Sequence, residues 1–340
     1  MINRRTMLKT AAKTAALGAA PGVALPYLAR EGFAQTPAQT LKLTFADTRN
    51  HPLYQVLLRF AENVKKKTNG AIEVQVFSTG ELGSQTNILT GLQTGIIDLC
   101  AHTSGYIDTL IPQFQVMDLP FLFPDLATAE KVLDGPVGTQ LADLMPPKGI
   151  YGLSYGYWGW RVTSTIDRKV PKPDDMKGLK IRVQPGPIFA AMFRALGANP
   201  IAIDYSEIYL ALSQHTIEAI ETPIIALPSA KHYEVVKTIN LTNHVYNAGV
   251  MMVSKRKFDS LPANLQESLR AASHELTTDW RRTMVEKTDE TSKLLKDKGL
   301  TINEVDRAAY RKQTDGVYKE FRDIIGGDLM DSVMKQVGSA

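Results

Sequence analysis

The stretch GLSYGYWGWR, Gly152 to Arg161, decides between two folds. Gly152-Leu153-Ser154-Tyr155-Gly156 fits G-x-S-x-G, a strained turn that holds a nucleophilic serine at a strand end and leads straight into a helix. The same ten residues close on Trp158, Gly159, Trp160 and Arg161, which suit a strand arriving at a pocket for an organic anion. The residues after the serine separate the two readings. Tyr157 to Thr163 is aromatic, glycine-containing and β-branched, poor material for the helix that would support an oxyanion. Asp204, then His215, His232 or His244, occur in an order a triad would allow, but six histidines in 340 residues make that order easy to meet by chance. The stretch therefore reads as a strand, and an exported serine hydrolase using Ser154 stands as the alternative function.

Outward from that strand the pattern alternates. Upstream, Leu41–Phe45 reads as a strand, and 51–67 carries a helical stripe at Leu53, Val56, Leu57, Phe60 and Val64. Asn69-Gly70 ends the helix. A strand at 71–77, a helix at 86–93 and an apolar run at 96–101 complete a βαβαβ order, the mark of an open α/β sheet. Downstream, 151–155 and 161–165 read as strands, 169–175 as a polar, Pro-rich connection, 180–183 as a strand, 188–196 as a helix and 198–203 as a strand. Asp204 with Glu207 three places on predicts a capping box. Leu92-Gln93-Thr94-Gly95-Ile96-Ile97-Asp98 and Leu212-Ser213-Gln214-His215-Thr216-Ile217-Glu218 echo each other, with His215 where Gly95 makes a left-handed stop. Two similar lobes would produce that echo. Residues 261–298 have no Gly or Pro after Pro262 and carry a stripe at Leu265, Leu269, Ala272 and Leu276. One helix of that length would run ~50 Å, longer than a lobe, and so bridge both. The alternative is a break near Thr277-Thr278.

The first 34 residues read as a twin-arginine signal peptide. Arg4-Arg5 precede an apolar run over 14–28, and Gly32-Phe33-Ala34 offers a small-x-small cleavage site. Pro21, Gly22 and Pro26 interrupt the run below the length of a membrane span. The leader holds Arg4, Arg5, Lys9, Lys13 and Arg30 against Glu31. Taking these from 39 basic and 35 acidic residues leaves 34 of each, so the exported part is neutral and has no electrostatic case for nucleic acid. Cys100, the single cysteine, excludes an internal disulfide and reads as a small buried hydrophobe.

No H-E-x-x-H, C-x-x-C, EF-hand loop, G-x-G-x-x-G or P-loop is present, so neither a metal nor a cofactor is expected. That leaves binding. Arg161 and Arg182 sit at or near strand ends, and a guanidinium presents a planar fork that fits a carboxylate. Surface pairing with Asp167, Asp174 or Asp175 is the plainer use for them.

Gly159-Trp160-Arg161-Val162-Thr163-Ser164, the 173–183 segment PDDMKGLKIRV, Gly197-Ala198-Asn199-Pro200 and the 205–212 segment YSEIYLAL resemble the periplasmic solute-binding proteins of TRAP transporters. Gly80-Glu81-Leu82-Gly83 and the 118–123 segment DLPFLF do so as well. The resemblance spans about residues 41–300. It implies an α/β, two-lobed periplasmic binding protein fold with a long helix bridging both lobes. The expected lobes are 41–157 plus 248–285 and 158–247 plus 286–340. It also implies no catalysis, a periplasmic monomer, capture of a small organic acid in the interlobe cleft, and delivery to membrane permease subunits. In the family the arginine of the G-L-K-[IV]-R-V segment, here Arg182, pairs with the ligand carboxylate, and the earlier one, here Arg161, gives a second contact. Tyr205 matches an aromatic cleft position. Trp158 and Trp160 lie where they would pack on the ligand or in interlobe core. His51, Gln85 and Thr103 match first-lobe ligand-facing positions. Many members carry Glu-Asn-Pro where this chain has Glu221-Thr222-Pro223, so Thr222 offers one hydroxyl where an amide is usual. The calcium-linked Gln-Glu-Trp segment of the α-keto-acid binders is absent.

Overall fold

In a computed structural model that describes residues 39–338, the chain runs twice through one unit. The first pass is β1 (Gln39–Phe45), α1 (Leu53–Lys67), β2 (Ile72–Phe77), α2 (Gln85–Thr94) and β3 (Leu99–Thr103). Three helices, α3 (Ser104–Ile107), α4 (Leu126–Leu133) and α5 (Pro136–Asp143), lead to the long strand β4 (Ile150–Thr165). The second pass is β5 (Lys180–Val183), α6 (Pro187–Ala195), β6 (Asn199–Ala202), α7 (Ile208–Ser213) and β7 (Ala219–Pro223). Then come α8 (Ala226–Ser229), β8 (Thr238–Ser254), α9 (Lys255–Asp259), α10 (Ala263–Asp297), β9 (Thr301–Asn303), α11 (Arg307–Ile325) and α12 (Gly327–Gly338). The expected signal peptide and its cleavage site lie outside the described residues.

The sheet order β2-β1-β3-β8-β4-β7-β5-β6 reads alike from either end, with β9 paired to β8 off this path. In each lobe the first strand of the unit lies parallel between the other two, β1 between β2 and β3, and β5 between β6 and β7. The echoed heptapeptides show why. Gly95 (φ 79°) and His215 (φ 55°) both end their helices in the left-handed region. In each, the next two amides turn back to one helical carbonyl: Ile96 and Ile97 to Gly91, Thr216 and Ile217 to Ala211. The acid after them then bridges to the first strand. Asp98 N–H donates to Lys42 O while its carboxylate accepts from Lys42 N at 2.8 Å, and Glu218 repeats this with Lys180 at 2.8 and 3.0 Å. This turn also places Ile96 outside the strand that its apolar neighbours predict, and it is exposed.

The lobes are joined by the antiparallel ribbon β4–β8. Its one end borders β3 through Gly249–Val253, its other borders β7 through Arg161–Thr165. The two strands expected at 151–155 and 161–165 are thus one, and Ser154 lies mid-strand opposite Met251. With no helix after it, Ser154 is not the nucleophile of a strained turn, and the hydrolase reading loses its geometry. The 35-residue α10 is unbroken at Thr277-Thr278 and, at 1.5 Å per residue, runs roughly 50 Å, matching the ribbon. Leu265 to Met284 join the main core, and Leu295 joins the smaller core of the second lobe. Where the helix crosses, Gly156 pairs with Gly249, and a Cβ on either would lie 2.2–2.4 Å from the Trp280 indole. Two facing glycines are what let that indole seat on the ribbon.

Two local expectations differ. Asp204 accepts from the Ser206 amide and hydroxyl, and no Glu207 carboxylate bond returns to it, so the cap is an Asx-type turn rather than a capping box. At the C-terminus, α12 packs against α4 and α5, which the expected division assigns to the other lobe. Cys100 is fully buried, and burial pushes its thiol pKa up.

Candidate functional site

The ends of β1, β3, β5 and β7 meet the ribbon around one cavity between the lobes. It is lined by Asp47, Gln85, Thr103 and Tyr106 from the first lobe and by Arg182, Gln184, Tyr205 and Thr222 from the second. Trp158, Arg161 and Asn247 reach it from the ribbon. The parity of β4 is unusual here. Strict alternation would put Trp158 and Trp160 on one face and Arg161 on the other. Instead, residues 157–160 oppose only 248–246, a bulge of one extra residue at Gly159 (φ 127°). The amide of Trp160, freed from the ladder, donates to the Tyr157 hydroxyl at 2.8 Å. Trp158 and Arg161 thereby share the cavity, while Trp160 leaves it to pack edge-on against Tyr246. Gly159 also has no room for a side chain, since a Cβ would lie 2.6 Å from that of Pro223.

Seven of the nine expected residues line the cavity: Gln85, Thr103, Trp158, Arg161, Arg182, Tyr205 and Thr222. Trp160 and His51 are not brought to it. His51 is buried behind, its ring 5.8 Å from Trp158 and its Nε2 3.7 Å from Asp47, and burial lowers its pKa. Trp158 serves as lining and as core, edge-on to Trp280 at 5.5 Å.

The two arginines differ. Arg161 is buried and committed: its Nε binds the Glu221 carboxylate, its Nη2 the Glu221 carbonyl at 2.5 Å, and its guanidinium lies over the Phe189 ring. Turned so that its oxygen faces this cation, the Gln184 amide accepts from Arg161 and donates to Thr103 Oγ1. None of the aspartates near Arg161 in sequence is its partner. Burial would raise the Glu221 pKa, but the Arg161 charge, with the His244 ring 3.6 Å away on the same oxygen, prevails and holds it at about 2. Arg182 is equally buried, yet no carboxylate lies within 4.0 Å of it among the described residues. Its Nε donates to Ile203 O at 2.9 Å and its Nη2 to the Tyr106 hydroxyl at 3.2 Å, which fixes the fork toward the cavity.

Asp47, which sequence reasoning missed, faces them from the end of β1. Its carboxylate accepts from the Thr48 amide at 2.7 Å, from Ser229 Oγ at 2.9 Å and from the Tyr205 hydroxyl at 3.3 Å. With Thr48 Oγ1 to Ser229 O at 2.9 Å, these bonds tie the lobes shut. The closed cavity is about 30 Å³, room for one or two waters.

Beneath the cavity lies a buried acid pair. Asp118 accepts from Ser104 at 2.7 Å, but burial pushes its pKa up to about 7, and Asp108 is raised by burial and by Asp118 beside it. Above about pH 4, the unfolded-state value of an aspartate, the folded protein thus holds a proton that the unfolded chain releases. Stability is expected to fall as pH climbs from about 4 to 7, and Asp118→Asn to flatten that slope. Melting temperatures of both proteins over this range decide it; parallel slopes contradict the assignment.

The profile of the bacterial extracellular solute-binding protein family 7 (DctP) matches residues 44–323. The chain is 32% identical over 301 residues to the 2,3-diketo-L-gulonate-binding periplasmic protein YiaO of Escherichia coli, covering 88% of each chain. It is 30% identical over 322 residues to the C4-dicarboxylate-binding periplasmic protein DctP of Rhodobacter capsulatus, covering 93% of this chain and 96% of that one. The sugar acid binding protein DctPAm of Advenella mimigardefordensis, solved with galactonate, superposes with a TM-score of 0.86 at 29% identity, over 89% of this chain and 98% of that one.

Proposed function

This chain belongs to bacterial extracellular solute-binding protein family 7, the DctP-type TRAP solute-binding proteins, and from that premise we propose that Arg182 anchors the carboxylate of a small organic acid in the interlobe cavity. The observation that carries the reading is the buried guanidinium with no carboxylate within 4.0 Å among the described residues. A desolvated charge left unpaired is costly, and a ligand carboxylate in the Arg182 fork offsets that cost. Arg161, neutralised by Glu221, orders Gln184 and Thr103 around the ligand more than it supplies charge.

Binding needs the lobes to part, because the closed cavity is too small for an organic acid. The ribbon and α10 are the continuous connections about which they swing, in a hinge motion that ligand contacts to both lobes drive shut. On this reading the protein works in the periplasm after twin-arginine export, as a monomer, and hands its ligand to TRAP membrane permease subunits.

The relatives bind different acids at similar identity, so a screen is the direct test. In a thermal-shift panel of sugar acids, C4-dicarboxylates, aromatic acids and neutral sugars, at least one acid is expected to raise the melting temperature by several degrees. A ligand at 100 times its Kd stabilises by about 2.7 kcal/mol. A panel in which neutral sugars raise it and no acid does would overturn the reading.

A further inference from the structure

We propose that Asp47 sets the class of acid, admitting a hydroxylated monocarboxylate and turning away a dicarboxylate. This rests on the reading of Arg182 as the carboxylate anchor and asks what the far side of the same cavity recognises.

Three charged side chains line the cavity: Arg161, Arg182 and Asp47. Arg161 is cancelled by Glu221. What remains is one open cation and one buried anion on opposite lobes. A single ligand carboxylate pairs with Arg182 and takes up the one cation left open. A second carboxylate on the ligand finds no further unpaired cation among the lining residues, and it meets the buried Asp47, where like charges repel more strongly than in bulk water.

The partners of Asp47 show what it accepts. They are O–H and N–H donors: Tyr205, Ser229 and the Thr48 amide. The nearest ionisable nitrogen, His51 Nε2 at 3.7 Å, belongs to a ring whose Nδ1 accepts from the Leu53 amide and whose charged form burial disfavours. The two Tyr205 contacts, at 3.3 Å to each carboxylate oxygen, are long for O–H···O bonds. A ligand hydroxyl entering between the lobes has a better acceptor in Asp47 than Tyr205 does. A second, independent feature points the same way. Asn247 on β8 is buried in the lining, and its Oδ1 has no hydrogen-bond partner. An acid with hydroxyls along its chain satisfies both groups, and a short dicarboxylate satisfies neither.

Titration calorimetry of wild type and Asp47→Asn, with galactonate and succinate as probes, tests this. Wild type is expected to bind galactonate at least 100-fold more tightly than succinate. Asp47→Asn, nearly isosteric and uncharged, is expected to weaken galactonate and strengthen succinate, narrowing the ratio tenfold or more. Equal loss for both probes would make Asp47 a lobe latch only and overturn the proposal. So would a wild type that prefers succinate, a result that needs no folded variant. A wild type that binds neither probe also overturns it, and the organic-acid panel then decides separately whether Arg182 still anchors a carboxylate.

Discussion

Arg182→Ala is expected to lower affinity for the bound acid by roughly 30- to 5000-fold, the equivalent of about 2–5 kcal/mol for a buried, hydrogen-bonded charge pair. The effect on the ligand-free protein is expected to be small. In wild type this guanidinium is desolvated, with the Ile203 carbonyl and the Tyr106 hydroxyl as its hydrogen-bond partners among the described residues. Removing an unpaired buried charge relieves its desolvation, so the ligand-free variant should melt no lower, or only slightly lower, than wild type. The combination separates a ligand anchor from a structural residue: the thermal shift with ligand disappears while the baseline holds. Arg182→Lys keeps the charge but loses the planar fork, and its affinity should fall between the two. Unchanged affinity in Arg182→Ala, or a collapse of the ligand-free protein, sinks the anchor role.

Legibility from the sequence tracked the range of each interaction. The repeated unit was readable because it is written locally: seven residues specify helix end, left-handed stop and strand start, and His215 takes the same turn as Gly95. The bridging helix was readable from its length without Gly or Pro. Parity on β4 was not, because alternation assumes an unbroken ladder and the bulge at Gly159 moves Trp160 out while bringing Arg161 in. The sign at hand was that glycine between two tryptophans, a residue able to hold φ 127° where an L side chain is strained.

Partners distant in sequence were the least legible. Asp47 sits in an ordinary Phe-Ala-Asp-Thr turn, and only the closed cleft brings Tyr205 and Ser229 to it across more than 150 residues. For Arg161, proximity in sequence points to Asp167, Asp174 and Asp175 as partners. A strand residue, though, meets its cross-strand neighbours before its sequence neighbours. Arg161 is registered with Pro223 and Thr163 with Glu221, a diagonal contact of the kind long side chains reach. Glu221 lies 60 residues from Arg161 in the chain, and nothing local in the sequence links the two.

That diagonal pair carries the other large expected effect. Glu221→Gln should destabilise the protein by about 3–5 kcal/mol at pH 7, because it leaves the Arg161 charge buried against a neutral amide. Against a total stability of about 5–15 kcal/mol this is a loss that a denaturant midpoint reads easily. The loss should depend on pH. Folding lowers the Glu221 pKa to about 2, below the unfolded value of about 4.3. Its contribution is therefore full above the unfolded pKa and is lost as pH falls from about 4 to 2, so wild type and variant should converge there. Arg161→Met in the Glu221→Gln background removes the stranded charge, and the double variant should recover part of the loss. Additive losses would mean that the two residues act separately. The pair bears on binding because it cancels Arg161. In Glu221→Gln the cavity would hold two open cations and one anion, a balance that suits a second ligand carboxylate better than the native site does. A folded Glu221→Gln protein should therefore shift its preference toward dicarboxylates. If its ligand preference is unchanged, charge balance is not what Glu221 sets in this cavity.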